Sequence, residues 1–535
     1  MSDWDPRRRS GLALLGVLAL AALILLMPAG RRPFWSSDEA RFALLAQDIL
    51  DHGRWLVPEL RGQPYLNKPQ LYFWSIALVS IPFGRVTELS AALPSVASAL
   101  AGIAGVMEIG RFLWGWRAGT LAGLVLATTP AYFVFGHQVL ADMMLTTLVI
   151  WALYFLLRAR AAGWAVGPLL GFYMCVAGAI ASKGPEGLAA LGAAALAALV
   201  TGGWSGLGRL RLVQGVVLLA VMLLPWIVPY LAQPRGSFVG DVLLGHYVTW
   251  YFRSGVLARV EHMATVLPNF LPWTVFLVGA LVWWRRAPDG GRWWIGAWTL
   301  ALWLLLGLSG TQRARYLLPV YPGLALLTAE FLAVAQASGG RRALRGASAV
   351  FCVAAVVGAA ALASPLVLHV SGEDRAYVPD TAAERVLLVA LVAAAAPAVA
   401  LAIRRQAFAG AAVAVALATA AVLLVEGVTY PPRYARDFGA RDLAVAAAAY
   451  APPGAAVIGH PDLRLSYDFY LRRRVVEISS AESLAQRVAS PSQDILITAR
   501  ERWTALAPRA DPSWRVLATR RIGGREMVVV GSAAR

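Results

Sequence analysis

Mostly apolar runs divide the chain, each to be weighed against the roughly 20 residues that a bilayer crossing demands. About thirteen can be read, near 11–29, 88–110, 118–135, 139–157, 165–181, 187–201, 211–232, 267–284, 293–309, 316–337, 347–369, 385–403 and 407–428. Several are rich in Ala and Gly, which lets helices approach closely in lipid. Arg7, Arg8 and Arg9 precede the first run, so the bias of Arg and Lys toward cytoplasmic loops puts the N-terminus in the cytoplasm. Every second connection should then be basic, and it is: Arg111 and Arg117, Arg158 and Arg160, Arg209 and Arg211, Arg285, Arg286 and Arg292, Arg341, Arg342 and Arg345, Arg404 and Arg405. The connections between them are acidic or mixed, such as Glu373, Asp374, Asp380 and Glu384. An odd number of spans carries the C-terminal tail to the outer side. The first run is taken as a span and not a cleaved signal, because its apolar core exceeds the usual length of roughly 7 to 15 residues and no A-x-A site follows.

Three outer segments are too long to be turns: about 30–87, about 232–266, and the tail after Thr429. The tail has short β-rich runs at Ala456–Gly459, Val475–Ile478, Asp494–Thr498 and Met527–Val530. Helical stretches lie between them, one opened by the Ser-x-x-Glu capping pattern of Ser479 to Glu482. The expected organisation is a transmembrane domain over 1–429 and a small outer α/β domain over 430–535, with Pro431 and Pro432 as a linker signal. No internal repeat is found.

Composition narrows the class. Of 535 residues, 59% are hydrophobic and 15% charged, with a mean hydropathy of +0.62. A soluble chain carries roughly 25% charged residues, so a soluble enzyme is excluded. The net charge of +18 does not point to nucleic acid, since the basic residues are scattered between apolar runs, not gathered on one solvated face. The two cysteines, Cys175 and Cys352, both lie in apolar stretches and supply neither a disulfide framework nor a metal site.

The chemistry-bearing residues gather at the outer ends of the runs. Of 48 basic side chains only two are lysines, Lys68 in Asn67-Lys68-Pro69 and Lys183 in Ser182-Lys183-Gly184-Pro185. Lysine is a compact point charge suited to a phosphate, although a lysine at a span end also snorkels to headgroups. Asp38 and Glu39 open a helix-like stretch directly after the first span, where the helix dipole favours an ionised carboxylate able to take a proton from an acceptor. The bland alternative for Asp38 is a helix cap. Asp142 ends an apolar run, where a carboxylate needs a partner. His246, Arg253, Glu261 and His262 lie in the second long segment, and Arg313, Arg315 and Tyr316 open the tenth run. A secondary transporter would hold its ionisable groups near the midplane, usually in paired repeats. Here the span interiors are almost free of charge, which favours an enzyme acting on a lipid-borne headgroup at the membrane surface.

The order of these motifs resembles a family. The segments from Asp38 to Phe42 and from Tyr65 to Trp74 resemble the first outer loop of the bacterial aminoarabinose (lipid A) transferases and the related protein O-mannosyltransferases. Leu140-Ala141-Asp142, Ser182-Lys183-Gly184-Pro185, Leu271-Pro272-Trp273 and Arg315-Tyr316-Leu317-Leu318-Pro319 match in the same order. The resemblance implies the C-type glycosyltransferase fold in the inner membrane, with the site on its outer face. It also implies a sugar donor on polyprenyl phosphate and an outer acceptor: lipid A, another lipid, a glycan or a protein. Carried over by motif, Asp38 resembles the acid that engages the acceptor, with Glu39 beside it, and Asp142 the second site acid. Lys68, Arg253, Arg313, Arg315, Tyr316 and Lys183 are the corresponding candidates on the donor phosphate. One departure stands out: the aminoarabinose transferases have Glu-Lys-Pro-Pro where this chain has Asn67-Lys68-Pro69-Gln70. That Glu resembles a metal ligand, so a divalent metal and aminoarabinose are both left open, with His246, Glu261 and His262 as candidate ligands. The competing readings are a lipid-linked sugar flippase and an envelope polysaccharide ligase or polymerase.

Overall fold

The computed structural model describes residues 6–34, 36–233, 255–284, 290–309, 312–336, 339–364, 378–460 and 465–532. Every apolar run carries helix, but the span count is lower than the thirteen expected. Among the described residues nine helices are long and apolar enough to cross a membrane, or up to eleven if each of two bent pairs is one span. One pair is Trp116–Ala127 with Pro130–Gly136, meeting at 66°; the other is Val256–Asn269 with Trp273–Trp284, meeting at 102°. Prolines sit at both breaks, Pro130 at the first and Pro268 and Pro272 at the second, and proline cannot carry an intrahelical bond through. The first run forms Pro6–Leu26, whose apolar part, Ser10–Leu26, is shorter than a full span.

Burial sorts the helices into centre and rim. The span Ala314–Val334 has 83% of its apolar window inside the protein, whereas Leu212–Leu231 and Ala382–Arg404 have 22% each. A helix apolar all round belongs either in a core or against lipid, and these occupy the two positions. The central span begins at Arg313, Ala314 and Arg315, so its position sets those arginines at the middle of one end of the bundle.

The segment after the first helix folds into a helix Ser37–His52, a hairpin of β1 (Glu59–Leu60) and β2 (Gln63–Pro64), and a helix Leu71–Ser80. The tail forms a five-stranded sheet from β3 (Val457–Gly459), β4 (Val475–Glu477), β5 (Ile495–Ala499), β6 (Trp514–Ile522) and β7 (Arg525–Ser532), in the order β4-β3-β5-β7-β6. β3 runs parallel to β4 and β5, while β7 is antiparallel to β5 and β6. The arginine-rich edge strand β6 was not among the expected runs, because its mostly solvated positions lack an apolar alternation. The helix Ala481–Val488 is capped by Ser480, one residue beyond the Ser479 that the capping pattern singled out.

Pro431 and Pro432 do not form a linker. They lie inside the helix Phe408–Phe438, which carries on past residue 429. An aromatic ladder of Tyr430, Tyr434 and Phe438 runs along one side of it at helical spacing, with ring centroids 5.9 and 5.6 Å apart. The tail is then tied back to the segment after the first helix. Arg61, in the β1–β2 turn, donates to Asp468 at 2.5 Å and to Glu477, and Phe34 N donates to the Tyr470 hydroxyl at 3.0 Å. Replacing Arg61 by Ala should loosen this junction and speed proteolytic cleavage after Phe438 by roughly tenfold, equivalent to about 1.4 kcal/mol of local stability. Limited proteolysis in detergent reads this directly, and an unchanged cleavage rate would count against the tie.

Candidate active site

The start of the helix Ser37–His52 is fixed by a capping box in which Ser36 Oγ accepts from Glu39 N and Glu39 accepts from Ser36 N at 3.2 Å. Glu39 also receives a two-pronged contact from Arg32, at 2.9 and 3.1 Å, and a bond from Val139 N at 3.0 Å. It is 1% exposed and takes no part in lining the cavity described next. The expectation that Glu39 joins Asp38 in the chemistry is therefore corrected: its carboxylate is committed to holding the fold. A helix turns by about 100° per residue, so the same anchoring points the preceding carboxylate, Asp38, elsewhere.

Asp38 faces a cavity of about 840 Å³ at one end of the bundle. The structure brings Asp38, Lys68, Asp142, Lys183, Arg313, Arg315 and Tyr316 together in its lining. Asp38 is gripped by three guanidiniums: Arg315 Nη2 at 2.7 Å and Arg313 Nη1 at 2.9 Å on one oxygen, and Arg41 on the other. Burial alone would raise its pKa, but Arg315, Arg41 and Arg313 outweigh it and hold the carboxyl below its ordinary value. Asp142, at the start of Ala141–Ala161, is ion-paired with Lys183 at 2.8 Å and lies 3.8 Å from Arg315 Nε. The Lys183 ammonium sits 4.1 Å above the Tyr316 ring, so its charge is shared between Asp142 and that ring.

The Ser182-Lys183-Gly184-Pro185 motif works through its backbone. Gly184 adopts φ +116°, and a Cβ on Gly187 would lie 2.4 Å from Ile180 N. The turn thus folds tightly against the end of Val166–Lys183 and brings Glu186 into the cavity, where it faces Lys68 Nζ at 3.5 Å. Tyr230 donates to the Lys68 carbonyl at 2.9 Å, tying that loop to the helix Leu212–Leu231. Glu186, Arg41 and Tyr65 are lining residues that the sequence reading did not single out. Their signals were the carboxylate three residues after Lys183 and the arginine one helical turn after Asp38. His246 and Arg253 lie outside the described residues. Glu261 and His262 fall on the helix Val256–Ala264 and do not line the cavity. Among the described residues no three His, Cys, Asp or Glu side chains stand together as a metal site, so no step below is routed through a metal.

Among the described residues five cations and three carboxylates line the cavity, an excess of two positive charges when all are ionised. The lining also carries apolar side chains, Leu188, Ala189, Leu305 and Leu306, of which Leu188 and Leu305 are exposed.

A polytopic membrane protein of the C-type glycosyltransferase fold is the class that this architecture defines. The chain matches apo ArnT from Cupriavidus metallidurans with a TM-score of 0.78 at 24% identity, over 98% of both chains. Against ArnT from the same organism bound to undecaprenyl phosphate the TM-score is 0.75 at 23% identity, over 96% of this chain and 97% of the other. In sequence, residues 67–229 match the dolichyl-phosphate-mannose-protein mannosyltransferase family. The undecaprenyl phosphate-alpha-4-amino-4-deoxy-L-arabinose arabinosyl transferase 2 of Sodalis glossinidius is 26% identical over 361 residues, 61% of this chain. The match spans 60% of that relative's length. The family resemblance read from the motifs is thus supported by both sequence and fold.

The two neighbouring carboxylates should respond differently to neutralisation. Glu39→Gln leaves the buried Arg32 without its charge partner and should cost about 3–5 kcal/mol, whereas Asp38→Asn, at a cavity wall, should leave thermal unfolding in detergent within about 1 kcal/mol of the parent. Equal losses would contradict the division of labour between them.

Proposed function

We propose that the protein transfers a sugar from a polyprenyl-phosphate donor to an acceptor on the outer face of the cytoplasmic membrane. The observation that carries this reading is a single cavity with three features. It has a surplus of positive charge, a carboxylate among those cations, and apolar side chains in the same lining. A lipid-linked phosphate needs the first and the third, since its headgroup is anionic and its chain is apolar. Group transfer needs the second.

Lys68, Arg313 and Arg315 are the cations assigned to the donor phosphate. The donor is a phosphodiester with one negative charge, while the departing polyprenyl phosphate carries about −1.5 to −2 near neutral pH. The surplus of two positive charges therefore complements the leaving group better than the donor, which lowers the barrier to bond breaking and not merely the energy of binding. In the displacement, an acceptor oxygen or nitrogen bonds to the anomeric carbon as the bond from that carbon to the phosphate oxygen breaks. The electron pair leaves on the phosphate, and the acceptor's proton passes to Asp38. Held by Arg41, the carboxylate takes the proton late, once attack has made the acceptor acidic. A single displacement inverts the anomeric configuration, by analogy with inverting glycosidases. Asp142, tied to Lys183 and near Arg315, is assigned to holding Arg315 in place.

Asp38→Asn should lower transfer by about 10²- to 10⁴-fold. The assay compares envelope lipids, glycans and surface proteins by mass spectrometry in cells expressing either form at matched levels. One sugar mass missing from one fraction is the expected result, and no difference in any fraction would refute the transferase reading. Lys68→Ala should weaken donor binding by about 10-fold or more, the loss of one charge-assisted contact. With the purified enzyme, the acid limb of kcat/KM should fall below the ordinary aspartate range, because the free enzyme's Asp38 stays ionised there under the pull of Arg315, Arg41 and Arg313.

A further inference from the structure

Without a donor, the carboxylate assigned to the acceptor is already occupied by the cations assigned to the phosphate. One oxygen of Asp38 accepts from both Arg313 and Arg315, and the other from Arg41. An acceptor hydroxyl arriving first would meet a carboxylate whose lone pairs point at guanidiniums. The three arginines are not equivalent, however. Arg41 stands three residues along the same helix as Asp38, whereas Arg313 and Arg315 reach it from the start of the central span. Arg313 is half exposed, and both arginines line the cavity, so a phosphate entering it meets them directly. A guanidinium fork matches phosphate oxygens as well as it matches a carboxylate.

We propose that the donor phosphate unmasks Asp38 by drawing Arg313 and Arg315 away from it, so that the site fills in a fixed order, donor before acceptor. Arg41 stays behind as the positioning residue that keeps Asp38 ionised and oriented, and one carboxylate oxygen becomes available to the acceptor. The exchange keeps Arg313 and Arg315 paired throughout, with Asp38 before the donor arrives and with its phosphate afterwards. This mechanism rests on the reading of the cavity as a polyprenyl-phosphate site.

Its test is a binding measurement whose sign is opposite to what loss of a site residue ordinarily gives. Undecaprenyl phosphate is titrated into the purified full chain in detergent, with undecaprenol as the phosphate-free control. In Asp38→Asn the two arginines no longer have to leave a carboxylate, so undecaprenyl phosphate should bind about tenfold more tightly although transfer is lost, and undecaprenol should bind unchanged. Removal of a simple repulsion between Asp38 and the phosphate would also tighten binding, and Arg313→Gln separates the two. Under exchange, Arg313→Gln weakens phosphate binding more in the Asp38→Asn background than in the parent, because in the parent part of its interaction is already given to Asp38. Under repulsion alone the two losses are equal, which overturns the exchange. Equal or weaker binding by a normally folded Asp38→Asn overturns it as well, while leaving the donor-site reading intact. Failure of undecaprenyl phosphate to bind any form would overturn both.

Discussion

A carboxylate taken fully out of water has to be met by opposite charge and by donors for its remaining lone pairs, and Glu39 is where this fold meets that demand. Arg32, Ser36 N and Val139 N supply the partners, from the end of the first helix, the helix cap and the turn before Ala141–Ala161. Arg32 and Ser36 lie within seven residues of Glu39 and Val139 is 100 residues away, so the carboxylate ties the chain after the first helix to the turn before Asp142. Asp38 inherits its direction from that tie. So does the short separation between Asp38 and the start of the central span, since Val139 precedes Asp142 and Asp142 lies beside Arg315.

The cavity is built the same way, by helix ends brought together. Asp38 and Asp142 stand at helix starts, Lys183 at a helix end, Glu186 in the following turn, and Arg313 and Arg315 at the head of the most buried span. Helix ends are where backbone groups lack partners and polar side chains are tolerated beside a bilayer. A site assembled there can be charged on one side and apolar on the other without either half being strained, which is what a lipid-borne phosphate requires. The tail contributes by gripping the hairpin: Asp468 and Glu477 hold Arg61 in the turn between β1 and β2, and Leu60, Gln63 and Pro64 of that hairpin line the cavity wall.

Most of the charged lining of the candidate cavity was legible because its residue types were out of place. Two lysines among 48 basic residues, and carboxylates at the ends of apolar runs, are conspicuous against a lipid-facing background. Glu39 misled for a physical reason, since adjacent Asp and Glu are indistinguishable until the fold decides which is buried. Glu186 and Arg41 were hidden because a charge near a turn or on an amphipathic helix is ordinary in itself. Their importance comes from what they face.

Hydrophobic length and charge asymmetry, which are additive along the chain, determined by themselves that this is a many-span membrane protein with a mixed α/β tail and charged motifs at the span ends. Tertiary structure decided what is not additive. Helix bends at Pro130 and beside Pro272 reduced the span count, and the aromatic ladder carried Phe408–Phe438 straight through two prolines expected to be a linker. The pairings of Asp38 with Arg313 and Arg315, of Asp142 with Lys183, and of Lys68 with Glu186 join residues 41 to 277 positions apart. No local pattern encodes such a pairing, because the energy that selects it exists only once the helices have packed and water has been excluded from the charges between them.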